Sequence, residues 1–195
     1  MKKKELNGKD LLLSFLYSPG MGTVKNEKIV GRTKIQKMMF LFEKQIYQDF
    51  FSENLQISLP EFSPYYFGPF SRELYEDLSF FISIGMIKTE STTIPLAPVD
   101  AVENYDMDFG NADESLSSDN QDAINDYEKE YFLSDIGIKY VEDNIWANFS
   151  PIQQEKLRDF KKKINQISLD ALLNYVYNKY PEETTKSIIA KKYLK

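Results

Sequence analysis

Apolar positions recur at helical spacing along most of this chain. Leu12, Phe15 and Leu16 fall on one side of a first segment, about 9–18, which Pro19-Gly20 and Gly22 stop. Ile35, Met38, Met39, Phe42 and Ile46 mark a second helix ending near Phe50, with Thr33 as N-cap and Gln36 completing a capping box. A third runs from Ser71 to Ile84, with Leu74, Leu78, Phe81 and Ile82 facing inward and Gly85 as its stop. Between them, Leu55-Gln56-Ile57-Ser58-Leu59 alternates as a short edge strand, and the Pro64 to Pro69 stretch excludes a regular helix. Met86–Glu90 and Glu128–Leu133 read as strands. Beyond them Ser134 caps a helix carrying Ile138, Val141 and Ile145, and Ser150-Pro151-Ile152-Gln153 is a capping box with proline at the first helical position. Leu157, Phe160, Ile164 and Ile167 then form a narrow apolar seam. Leu169, Leu172, Leu173, Val176, Tyr177 and Tyr180 form a broader stripe that ends at Pro181, and Thr184 to Leu194 adds a short last helix.

Helix, strand, connection, strand is the order of a winged helix whose two strands make the wing hairpin. The pattern predicts an α+β, mainly helical protein: a winged-helix-like domain over 1–146 and a C-terminal helical extension over 147–195 packed on it. The connection between the wing strands, about 94–126, carries Asp100, Glu103, Asp106, Asp108, Asp113, Glu114, Asp119, Asp122 and Asp126 and no Lys or Arg before Lys129. It reads as a solvated acidic insertion.

Composition narrows the chemistry. At 195 residues with 42% hydrophobic and 28% charged positions, the chain has the balance of a soluble globular protein. It has no cysteine and no histidine, so disulfide scaffolds, thiolate nucleophiles, Cys/His zinc sites and a Ser-His-Asp triad are all excluded. Carboxylate chemistry on a hard cation survives that exclusion, although no Asp/Glu spacing marks a metal-dependent hydrolase. Asp106-Met107-Asp108-Phe109-Gly110 resembles a calcium loop only superficially: the glycine comes one position early and the bidentate glutamate is missing. No cofactor is expected. Net charge is −6 and the isoelectric point about 4.9, which opposes non-specific contact with nucleic acid and anionic membranes. The Lys2–Lys4 start followed by Leu11–Tyr17 reads as a core helix rather than a signal peptide, and no apolar stretch approaches the ~20 residues that span a bilayer. A cytoplasmic location is expected.

Five groups of residues are weighed for contact with a partner. Arg32, Lys34 and Lys37 at the second helix start either hold phosphate oxygens or form a solvated face opposite the Met38/Phe42 stripe. The third helix, where a DNA reader needs positive charge, carries Arg72 against Glu73, Glu76 and Asp77, so major-groove reading through 71–84 is disfavoured. The aromatic loop of Phe62, Tyr65, Tyr66, Phe67 and Phe70 fits a platform for a protein, or for stacking unpaired bases, with Tyr65 or Phe67 buried as a plug and another ring exposed. The insertion, through Asp106 and Asp108 among others, fits a basic surface on a partner. Lys161-Lys162-Lys163 with Lys156 and Arg158 reads as a solvated basic face, and the adjoining seam packs on the last helix or makes a homodimer contact.

Three patches resemble one known group. Gly31-Arg32-Thr33-Lys34-Ile35-Gln36-Lys37 is similar to the opening of SocA/Panacea-like antitoxin domains and their YwgA-like bacterial relatives. Tyr65-Tyr66-Phe67-Gly68-Pro69-Phe70-Ser71 is similar to a second signature of that group. Val176-Tyr177-Asn178-Lys179-Tyr180-Pro181-Glu182 is similar to an element of the YwgA-like branch. The resemblance implies an antitoxin that neutralises a partner toxin by direct protein contact, or an adaptor, with no catalytic residues. The long acidic insertion departs from the shorter members. The expectation is a non-enzymatic, protein-binding regulator of a toxin–antitoxin or phage-defence system; the alternative is a winged-helix transcriptional regulator that uses Arg32, Lys34 and Lys37 on DNA.

Overall fold

The computed structural model describes residues 4–22, 24–50, 55–95 and 127–194. Strand β1 (Lys4–Leu6) leads into helix α1 (Gly8–Tyr17). Asn7 and Asp10 cap that helix reciprocally: the Asn7 side chain accepts from the Asp10 N–H at 3.1 Å and the Asp10 carboxylate from the Asn7 N–H at 3.0 Å. Leu11, Leu12, Leu13, Phe15, Leu16 and Tyr17 are all fully buried. The one-sided helix expected from Leu12, Phe15 and Leu16 is therefore a central one, apolar all round and enclosed by the rest of the fold.

After β2 (Ile29–Val30) comes α2 (Arg32–Gln45), then one short turn, α3 (Tyr47–Phe50). Thr33 does not cap α2. The cap is Gly31 at φ 86°, a left-handed backbone that favours glycine, and Thr33 lies buried inside the first turn. The helix also breaks at Ile46 instead of running unbroken to Phe50. Strand β3 (Leu55–Ile57) pairs in parallel with β1, and β4 (Ser63–Tyr65) pairs antiparallel with β5 (Gly68–Phe70) across the two-residue loop Tyr66-Phe67. Helix α4 (Arg72–Ser83), capped by Ser71, ends at Gly85.

Strands β6 (Ile87–Pro95) and β7 (Tyr127–Leu133) form the expected antiparallel hairpin, with a register shift between Ser91 and Pro95. They do not stand as a pair. Strand β2 adds itself to β7, with Ile29 opposite Tyr131, and the order becomes β2-β7-β6. Helices α5 (Asp135–Asn144), α6 (Pro151–Gln166), α7 (Leu169–Lys179) and the short α8 (Ala190–Tyr193) complete the described chain. The Ser150/Gln153 capping box that opens α6 is formed. The protein is thus α+β, mainly helical, with small sheets.

A single hydrophobic cluster joins residues from Leu6 to Tyr193, so α6 and α7 share one core with α1 and α2. Aromatic rings fill its centre. Phe15 meets Phe42 at 5.4 Å and Phe160 at 5.7 Å; Phe42 meets Phe50 at 5.3 Å, Phe50 meets Phe149 at 5.7 Å, and Phe149 meets Trp146 at 5.9 Å. These edge-to-face and tilted contacts tie helices distant in sequence through well-packed, largely apolar area. No described helix is long and apolar enough to cross a membrane.

Candidate functional site

The β4–β5 hairpin carries a row of rings at the surface. Tyr66 stacks on Tyr65 at 4.5 Å, Tyr65 stacks on Phe70 at 5.0 Å, and Phe70 lies tilted against Tyr75 of α4 at 6.3 Å. The Arg32 guanidinium closes the row, 4.6 Å from the Tyr75 ring centroid. Tyr66 is 40% exposed, whereas Phe67 is 2% exposed and plugs the interior. The expected division between a plugging ring and an open one is observed. Phe62, just before the hairpin, is half-buried against Phe40 at 5.6 Å.

The hairpin is held by polar groups of other elements. Lys37, fully buried, donates to the Pro69 carbonyl at 3.0 Å. Gln36 donates to the Ser71 carbonyl and accepts from the Ser71 N–H, both at 3.0 Å. Ser187 Oγ and the Ile188 N–H both reach the Tyr66 carbonyl, at 2.9 and 3.0 Å. Gly68 sits at φ 85° directly over Tyr177, where a Cβ would come within 3.1 Å of the ring; the Tyr177 hydroxyl is 2.6 Å from Ser187 Oγ. The Gly31–Lys37, Tyr65–Ser71 and Val176–Glu182 patches thus converge on one place. In the first two patches Thr33, Lys34, Gln36, Lys37 and Ser71 are buried, whereas Asn178, Lys179 and Glu182 of the third are exposed.

This corrects the reading of the basic residues. Lys34 is buried, with its ammonium on the Ile167 carbonyl at 2.8 Å, and Lys37 is enclosed as described. Arg32 is partly buried, and its Nε has no acceptor among the described residues. Neither a solvated face nor a phosphate-holding cluster exists at this helix start. The physical reason is that residues 33–42 of α2 are buried on every side, so a polar residue there must turn inward and find a carbonyl. A clue was present in the sequence: Phe40 and Leu41 lie off the Met38/Phe42 stripe, which leaves no polar face over those turns.

Lys161 required the same correction. It belongs to no solvated basic face; Lys162, Lys163 and Arg158 are exposed, but Lys161 is fully buried. Its ammonium donates to the carbonyls of Leu16 at 3.0 Å, Ser18 at 2.6 Å and Glu27 at 2.6 Å. Burial draws its pKa down to about 7, against the attraction of the Glu27 carboxylate. For Glu27, burial pushes upward, but the Gly22 and Met21 N–H groups, Asn165 and Lys161 prevail and hold its pKa below the usual carboxylate value. The connection from α1 to β2 is folded around this pair.

Helix α4 exposes Arg72, Glu73 and Glu76, and turns Asp77 inward to Lys9 at 3.4 Å. Its exposed charge stays net acidic. Asp106 and Asp108, with nearly all of the acidic insertion, lie outside the described residues. Gln36 and Ser187 were missed as parts of this site because their partners lie far away in sequence, 35 positions for Gln36 to Ser71 and 121 for Ser187 to Tyr66. No group of three or more acidic residues suited to a metal ion occurs among the described residues. Comparison with known proteins returns no matching family model, no matching curated protein and no matching solved structure.

Proposed function

We propose that the chain is a cytoplasmic, non-enzymatic regulator that binds another protein, in the manner of an antitoxin that restrains a toxin or defence effector. The observation that carries this reading is the aromatic row Tyr66–Tyr65–Phe70–Tyr75 on a hairpin held from beneath by Lys37, Gln36 and Ser187. Partly exposed tyrosines on a rigid support offer contact area at little entropic cost, as at the centres of protein interfaces. The order α4, β6, β7 agrees with a winged helix in which β2 has joined the wing. Use of that unit on DNA is disfavoured, since Lys34 and Lys37 are enclosed and α4 presents Glu73 and Glu76.

The test is capture of partners from the native host with the wild-type chain and with Tyr66→Ala. A polypeptide retained by the first and lost from the second is the expected result, since interface tyrosines of this kind contribute about 2 kcal/mol or more. Sequence-preferring binding to its own promoter with a steep salt slope would overturn the reading in favour of a DNA regulator.

A further inference from the structure

Beside the hairpin lies a cleft that the ring stack does not use. It has a volume of about 520 Å³, within the usual range for ligand-sized sites, and its walls include Glu43, Tyr47, Leu59, Pro60, Glu61 and Phe62. Phe62 immediately precedes β4, so the cleft opens at the root of the hairpin. Tyr47 is fixed by donation of its hydroxyl to the Ile57 carbonyl at 2.8 Å, and Phe62 by its contact with Phe40. Glu43 shares the Lys44 ammonium with other carboxylates. Lys44 stands 3.7 Å from Glu43 but only 3.1 Å from Glu183, and it also faces Glu182, so the negative charge around it exceeds its own. Burial, ahead of the pull of Lys44, raises the Glu43 carboxyl above its ordinary value.

We propose that this cleft receives the guanidinium of an arginine side chain carried by the partner polypeptide, which deepens and rests on the partner-binding reading. Two carboxylates with tyrosine and phenylalanine walls match a planar cation that pairs in a fork and stacks on rings; a lysine ammonium lacks the plane. Leu59 and Pro60 suit the aliphatic stem of the same side chain. A bound cation also relieves the charge that Glu43 holds against burial.

The experiment is titration of the isotope-labelled full chain with Nα-acetyl-arginine amide, followed by amide shifts of Gln48, Glu61 and Phe62. The citrulline analogue, equal in shape and uncharged, and the lysine analogue serve as controls. Shifts with the arginine probe, weaker with lysine, absent with citrulline, and weakened about three- to tenfold in Glu43→Gln/Glu61→Gln are expected. Glu61→Gln alone, at an exposed position, gives the same direction should the double variant fold poorly. Equal shifts with citrulline, no shifts at all, or shifts unchanged in Glu61→Gln and in the folded double variant would overturn the proposal. The partner-capture result with Tyr66→Ala is read separately, so loss of the cleft proposal leaves the hairpin reading to stand or fall by itself.

Discussion

Two connections in this protein are each held by a buried lysine, yet they end in opposite conditions. The β4–β5 hairpin hangs from Lys37, which donates to the Pro69 carbonyl, and its Tyr66 ring faces outward. The connection between α1 and β2 closes over Lys161, which reaches three carbonyls and lies beside Glu27. Asn26, at φ 62°, fastens the same connection to β7, donating to the Leu133 carbonyl at 2.9 Å and accepting from the Leu133 N–H at 2.7 Å. An ammonium bonded to carbonyls is therefore a general fastening here. What it fastens depends on what the loop carries: stacked rings in one place, glycines and an internal carboxylate in the other.

The largest effect is expected at Lys161. Lys161→Met leaves three carbonyls without donors, and at about 1–3 kcal/mol for each unsatisfied group, part of it recovered by relaxation, a loss of about 3 kcal/mol is expected in urea unfolding. The same residue gives the fold a pH dependence. Its folded value of about 7 lies below the ~10.4 of an unfolded lysine. Between those values the unfolded chain binds more protons, so stability rises with pH from about 7 to 10, and Lys161→Met removes that part of the slope. Unfolding curves at several pH values in that window check the sign.

At the hairpin the expected effects are smaller. Lys37→Met strands the Pro69 carbonyl and is expected to cost about 1–3 kcal/mol, together with faster amide exchange over 63–71. Gly68→Ala is expected to cost about 1–3 kcal/mol, since it puts a Cβ at positive φ against Tyr177. Tyr66→Ala removes a partly exposed ring and should change stability by no more than about 0.5 kcal/mol while abolishing partner capture. A large stability loss from that last change would mean that the ring row is structural, and the contrast between the two loops would fail.

Much of the fold was legible in the chain itself. The spacing of Leu74, Leu78 and Phe81, the glycine at position 85, and the capping pair Ser150/Gln153 placed α4 and α6 closely, because local hydrogen bonds and one apolar stripe decide those elements. The aromatic loop was also legible as non-helical, from two prolines and a glycine among five aromatic residues, but its closure into the β4–β5 pair was not. The basic residues were not. Arg32, Lys34, Lys37 and Lys161 carry the same letters whether solvated or enclosed, and the acceptors of the lysines, on Ile167, Pro69, Leu16, Ser18 and Glu27, lie far away along the chain. The β2 strand was missed for a related reason: at two residues it has no period of its own and exists only because β7 is there to pair with it.

The sequence alone determined most of the helices, the acidic balance and the absence of imidazole and thiol chemistry, since those depend on neighbouring residues and on composition. Only the tertiary structure decided which charges meet water. Whether a lysine is solvated or bound to carbonyls depends on what packs around it, and that packing is set by contacts between segments far apart in the chain.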